Sequence, residues 1–239
     1  MRGWSTIVAD VLFPRECAAC AGALPIGHAS TLCSPCWTSL RMPFDSLCPR
    51  CGIPTPPVSM ICAACSAHPP AFDSARALGL YLASGAHLNP LAAAVRALKY
   101  RGERAVARCL GRALAERCTA AADLLVVPVP LHPSRLRERG YNQAALLAAA
   151  LASTWRRPVA LRALTRVRAT PSQAGLDAHT RRTNLRDAFA VHRGNAIAGR
   201  TIALVDDVLT TGATADACAT ALRHAGAASV VVYTVGRTP

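Results

Sequence analysis

The chain has 239 residues (25.0 kDa), of which 52% are hydrophobic and 17% charged, enough for one sizeable core plus a small appendage. That composition excludes a disordered tail, a collagen and a coiled coil. A formal charge of +14, carried almost wholly by arginine with Lys99 as the only lysine, favours polyanionic partners such as nucleic acid or phosphate-rich small molecules.

The opening run MRGWSTIVADVLFPREC lacks an apolar stretch followed by a small-residue cleavage site. The uncharged stretch 77–95 is broken by Ser84, Gly85, His87, Asn89 and Pro90. A cytoplasmic protein with no membrane insertion is therefore expected. In a reducing compartment its eleven cysteines favour metal over disulfide.

Residues 1–68 hold eight cysteines and a net charge of +1, whereas 69–239 carry a net +13. Around the His68-Pro69-Pro70 seam the pattern changes to Ala/Leu/Arg stretches and short β-branched runs. We therefore expect a small metal-binding domain over 1–70 and a larger domain over 71–239. The front cysteines form four Cys-x-x-Cys pairs: Cys17/Cys20, Cys33/Cys36, Cys48/Cys51 and Cys62/Cys65. Each such turn brings two thiolates to one ion, and a second turn across a hairpin completes a tetrahedron. Gly22 and Gly52 suit the tight turns after the first and third pairs. A segment this small needs such staples to fold, so two structural zinc ions are expected, with no open coordination position for catalysis. Sequential pairing gives two zinc ribbons and crossed pairing a RING-like brace; the short gaps of twelve, eleven and ten residues favour the sequential form. Cys109, Cys118 and Cys218 read as core, and His28 and His68 as surface.

Beyond the seam, apolar residues three and four apart predict helix over Ala92–Ala122, interrupted at Tyr100-Arg101-Gly102. Strands are predicted over Leu124–Pro130, Pro158–Leu164, Thr201–Asp206 and Ser229–Val235. Helices are predicted over Asn142–Thr154 and Ala213–Ala225, with a polar loop over Val167–Asn184. Alternating strands and helices, with strands apolar on both faces, argue an α/β fold with a parallel sheet flanked by helices. Ligands of such sheets bind at the carboxyl ends of the strands.

The sharpest signal follows Ile202-Ala203-Leu204-Val205: Asp206-Asp207-Val208-Leu209-Thr210-Thr211-Gly212-Ala213-Thr214. Two carboxylates at a strand end can accept from ribose hydroxyls or support magnesium. The hydroxyls of Thr210, Thr211 and Thr214 and the N-terminus of the next helix suit a phosphate dianion. Together they predict a ribose-5-phosphate site. A simple helix cap would leave the second aspartate and the Thr-Thr-Gly run without a reason.

This run resembles the phosphoribosyl pyrophosphate (PRPP) motif of type I phosphoribosyltransferases. Leu98–Gly102, Val129–Pro133, Arg139–Gln143, Thr170–Gln173 and Arg181–Asn184, with the cysteine-rich front, narrow the likeness to the ComF family. The resemblance implies a type I phosphoribosyltransferase-like fold behind a double zinc ribbon, and a part in competence, DNA uptake or DNA utilisation. It implies that Val205, Asp206, Asp207 and Thr210, Thr211, Gly212, Ala213 and Thr214 bind PRPP with magnesium, the two aspartates being the candidate catalytic groups. His132, Arg135, Arg139 and Lys99 would meet pyrophosphate. Arg166, Arg168, Gln173, Arg181 and Arg182 would lie on a flexible loop closing over it.

No residue run marks an acceptor site, so binding without turnover and catalysis of phosphoribosyl transfer in nucleotide salvage both stand. Nucleic-acid handling is a further reading: thirteen arginines face three acidic residues between Ser134 and Arg200. Single-stranded DNA and DNA-uptake or helicase proteins are the corresponding partners. Trp37, Tyr141 and Trp155 are the best-placed stacking platforms, although aromatics make up only 5% of the chain.

Overall fold

The computed structural model describes residues 13–40, 45–57, 61–84, 87–168, 188–192 and 197–239. Each front ribbon is a knuckle followed by one helical turn. The Glu16–Ala23 bridge encloses Cys17 and Cys20, and helix α1 (Ser34–Thr38) carries Cys36. The Leu47–Pro54 bridge encloses Cys48 and Cys51, and α2 (Ala63–Ala67) carries Cys65. The two units are thus repeats, and pairing is sequential. The thiol sulfurs of Cys17, Cys20, Cys33 and Cys36 lie within 4.8 Å of one another, as do those of Cys48, Cys51, Cys62 and Cys65. In both, the amide that opens the second half donates back to the first sulfur, Cys33 to Cys17 at 3.3 Å and Cys62 to Cys48 at 3.5 Å.

The remaining elements are β1 (Ser74–Leu80), the short pair β2 (Ala83–Ser84) and β3 (His87–Leu88), α3 (Pro90–Tyr100), α4 (Ala105–Arg117) and β4 (Leu124–Pro128). They continue with α5 (Pro133–Arg139), α6 (Gln143–Trp155), β5 (Leu164–Arg166), β6 (Phe189–Val191), β7 (Thr201–Leu209), α7 (Ala213–His224) and β8 (Ser229–Arg237). A four-stranded sheet runs β1-β8-β7-β4 with every neighbour parallel, and β5 and β6 pair antiparallel beside it. Alternate strand residues feed two apolar layers. Val126, Ala203, Val205 and Val235 meet α3, α4, α6 and the first ribbon on one face. Val127, Ile202, Leu204 and Val232 meet α7 and the β5–β6 hairpin on the other.

Four sequence expectations shift. The helical stretch breaks at Tyr100-Arg101-Gly102 as expected, into α3 and α4, but it begins at Pro90 and ends at Arg117 rather than running from Ala92 to Ala122. Residues 158–164 contribute only a single bridge, Val159 to Val126, before β5 begins at Leu164. Strand β1 and helix α5 are not among the predicted elements. Strand β7 runs on to Leu209, so the two aspartates sit within the end of the strand and not in the turn after it.

The first ribbon is wedded to the sheet. Leu32 and Leu40 are buried in the same cluster as Leu78, Leu91 and Leu98. The Leu40 carbonyl presses so closely on β1 that a Cβ at Gly79 would lie 2.0 Å from its oxygen. His28, expected at the surface, pairs through Nε2 with the Leu32 carbonyl at 2.9 Å and is part-buried.

The left-handed position of the knuckle falls differently in the two repeats. Gly52 takes it in the second ribbon (φ 67°), whereas in the first it is Ala21 (φ 58°) and not Gly22. A Cβ in that conformation costs roughly 1–2 kcal/mol. Ala21→Gly should therefore stabilise the zinc-loaded protein, by about 0.5–1 kcal/mol after the larger entropy loss of glycine. Thermal unfolding of the two proteins side by side checks this, and a lowered midpoint for the glycine variant would contradict it.

Candidate functional site

The carboxyl end of β7 gathers most of the predicted groups. Val129 and Val205 carry the sheet up to this edge, the Val129 amide donating to the Val205 carbonyl at 2.9 Å. Val205 itself is wholly buried, so its side chain belongs to the sheet core. One residue on, the Asp206 carboxylate accepts from the Asp207 amide at 2.8 Å, which fixes the first carboxyl against its own backbone. Asp207 is 4% exposed and pairs with Lys99 Nζ at 2.9 Å, from the last turn of α3. Lys99 thus serves an aspartate in this state, a role different from the pyrophosphate contact expected of it.

The electrostatics follow from two carboxylates sharing one cation. Burial and the neighbouring Asp207 charge push Asp206 up to about 7, against the pull of Lys99 and Arg166. Burial draws the Lys99 ammonium down, but the Asp207 and Asp206 charges outweigh it and hold Lys99 above its ordinary value. A magnesium ion or ribose hydroxyls arriving here would relieve crowded negative charge, and the donor set fits both.

Beyond the aspartates, Thr210 and Thr211 are exposed at the turn and Gly212 caps α7 at φ 83°. The Thr211 hydroxyl accepts from the Ala213 amide at 3.4 Å. Ala213 and Thr214 then form the first turn of α7, whose leading N–H groups have no acceptor within the helix. The turn thus offers hydroxyls, amides and a positive dipole end, the chemistry of an anion cradle.

The expected pyrophosphate residues are engaged in local structure. His132 caps α5, its Nδ1 accepting from the Ser134 amide at 3.2 Å and lying 2.7 Å from the Ser134 hydroxyl. Arg135 pairs with Glu138 at 3.0 Å along α5. Arg139 donates to Gln143 at 2.6 Å and lies over the Tyr100 ring at 5.4 Å. Asn142 holds the Val129 carbonyl at 3.0 Å and caps α6, so it fixes the β4 exit to the helix. Arg166 reaches the site from β5, where its charge and that of Asp206 act on each other, and it lies over Phe189. Arg168 is exposed just beyond β5. Gln173, Arg181 and Arg182 lie outside the described residues.

Of the expected stacking residues, Trp155 is committed to the interior, edge-on to Tyr233 at 5.1 Å and donating to the Ala115 carbonyl. Tyr141 is covered by Arg104 at 4.7 Å and donates to the Leu98 carbonyl. Tyr100, not among the expected platforms, is 71% exposed.

Residues 8–66 match the double zinc ribbon domain family. The chain is 33% identical over 232 residues to the DNA utilization protein YhgH of Salmonella typhimurium, covering 94% of this chain and 98% of that one. It is 32% identical to competence protein F of Haemophilus influenzae, at 94% and 98% coverage. The chain belongs to the ComF family. Among solved structures, a glutamine PRPP amidotransferase from B. subtilis is 24% identical with a TM-score of 0.38, covering 54% of this chain and 25% of that one. This ComF protein is an α/β chain with a parallel sheet flanked by helices and an N-terminal double zinc ribbon whose two four-cysteine sets suit structural zinc. No helix among its described residues is long and apolar enough to cross a membrane.

Because burial raises Asp206, the sign of its pH effect is fixed. The unfolded chain ionises this carboxyl near 4 and the folded chain near 7, so stability present below pH 4 is lost as pH rises through 7. Asp206→Asn removes that loss: the variant should be about 1–3 kcal/mol more stable than wild type at pH 8 and nearly equal to it at pH 4. Denaturant titrations at the two pH values measure the difference. An equal offset at both would contradict the assignment.

Proposed function

We propose that the carboxyl end of β7 binds PRPP with magnesium, and that the protein serves competence or DNA utilisation through that bound state. The observation that supports this best is the juxtaposition of Asp206 and Asp207 with the Thr210–Thr214 turn. Carboxylates able to accept from ribose hydroxyls stand one turn from amides and hydroxyls able to hold a 5-phosphate. In this reading Arg135, Arg139 and Arg166 supply positive charge for the pyrophosphate end, and Lys99 pairs with Asp207. Binding of magnesium would free Lys99 to join them. The role in DNA use is supported by the relatives' names and by the exposed Tyr100 ring beside the site, with the part-buried Arg139 over it, where a single-stranded DNA base can stack.

A second reading, active phosphoribosyl transfer in nucleotide metabolism with no DNA role, is favoured by Asp206. A carboxyl held at about 7 is suited to take a proton from an attacking nucleophile. The protein's share of such a step is positioning and charge neutralisation as pyrophosphate leaves C1′.

Calorimetric titration with PRPP and magnesium, beside the Asp206→Asn, Asp207→Asn double variant, tests the common part of both readings. We expect saturable binding to wild type and a loss of at least about 2 kcal/mol of affinity in the folded double variant, as for removal of hydrogen bonds to charged groups. Unchanged affinity would sink the site. A pyrophosphate-release assay across amines and nucleobases then separates a transferase from a PRPP-dependent binding protein.

A further inference from the structure

Arg237, at the end of β8, is 6% exposed, and among the described residues no ion pair joins it to a carboxylate. A buried guanidinium without a counter-charge is costly, so its surroundings must compensate. Its Nε donates to the Cys51 carbonyl at 3.0 Å, and Nη2 lies 3.9 Å from the Cys51 sulfur. Nη1 donates to the Leu209 carbonyl at 3.0 Å, to the Thr210 carbonyl at 2.6 Å and to the Thr238 carbonyl. One side chain therefore ties the second four-cysteine set to the backbone that opens the Thr210–Thr214 turn.

Four thiolates around one divalent zinc leave a net negative centre, the counter-charge that Arg237 otherwise lacks. Between ribbon and turn lies a cavity of about 570 Å³, walled by Cys51, Cys65, Thr211, Gly212, Asp216 and Arg237. The two parts are therefore not packed solidly across their whole interface, and the guanidinium fork is one of the contacts that bridge it.

We infer that Arg237 is a positioning residue that couples zinc in the second ribbon to the shape of the phosphate turn. The inference rests on the PRPP reading only for the identity of the turn's ligand. Because coupling between sites is reciprocal, a turn ligand that favours the zinc-loaded ribbon must have its own affinity raised by that zinc, and must tighten zinc binding in the second ribbon by the same factor. The first ribbon, which packs on α3 and α4, should be indifferent.

The test uses the full zinc-loaded chain challenged with a chromophoric chelator, with cysteine alkylation and peptide mass analysis reporting which ribbon has emptied. Arg237→Met should release zinc from the Cys48/Cys51/Cys62/Cys65 set about 10-fold faster or more, the usual effect of removing an outer partner of a metal ligand, while the other set is unchanged. Amide exchange at residues 209–213 should quicken in the same variant. Arg237→Lys keeps the charge without the fork, so it should retain zinc better than Arg237→Met while still loosening the turn. PRPP with magnesium should protect the second set, and not the first, in the wild-type chain.

Wild-type zinc release and amide exchange in both variants would overturn the inference. So would PRPP that binds yet protects neither zinc. If either variant fails to fold, the wild-type protection measurement decides alone. Failure of PRPP to bind, with faster zinc release and exchange in the variants, would instead defeat the PRPP reading and leave the Arg237 connection standing.

Discussion

The buried pair between Lys99 and Asp207 is the constraint around which the α/β half is arranged. A carboxylate that is 4% exposed at the end of a central strand is tolerable only with a cation against it. That cation comes from the last turn of α3, and α3 can present it only because its apolar face is locked between the first ribbon and the sheet. The same pairing leaves Asp206 as the underserved member of the two. The negative charge that makes the strand end unfavourable by itself is also what makes it receptive to magnesium and ribose hydroxyls.

Both zinc ribbons are built into the α/β half, by different means. The first contributes leucines to the helical core. The second joins chiefly through polar contacts: the Cys51 carbonyl to Arg237, and the Pro49 carbonyl to Arg76 at 3.5 Å. An apolar junction resists local change, whereas a polar junction beside a cavity can transmit it. This difference is why we assign coupling to the second ribbon and scaffolding to the first.

The parts legible in the sequence are those whose chemistry is local. Cysteine spacing determines which thiols converge, and the Ile202–Val205 run followed by Thr-Thr-Gly announces a buried strand leading into a helix. Strand β1 is hidden because Ser74–Leu80 is rich in alanine and contains a glycine; it becomes a strand by pairing with β8. Residues 158–164 look more strand-like than they are, because their apolar side chains, including the half-exposed Leu161, do not keep a ladder beyond Val159. The partners of Lys99 and Arg237 are concealed for a common reason. Their contacts span long stretches of chain, and nothing in the neighbouring residues sets a buried arginine apart from the many on the surface.

Backbone amide NMR of the zinc-loaded chain, titrated with magnesium and PRPP, tests most directly whether the end of β7 is the ligand site. We expect saturable shifts centred on residues 206–214 and the Lys99 end of α3, with further shifts near Arg135, Arg139 and Arg166 that excess ribose 5-phosphate reverses while the turn stays occupied. Shifts that never saturate, or that fall mainly away from the end of β7, would contradict that assignment.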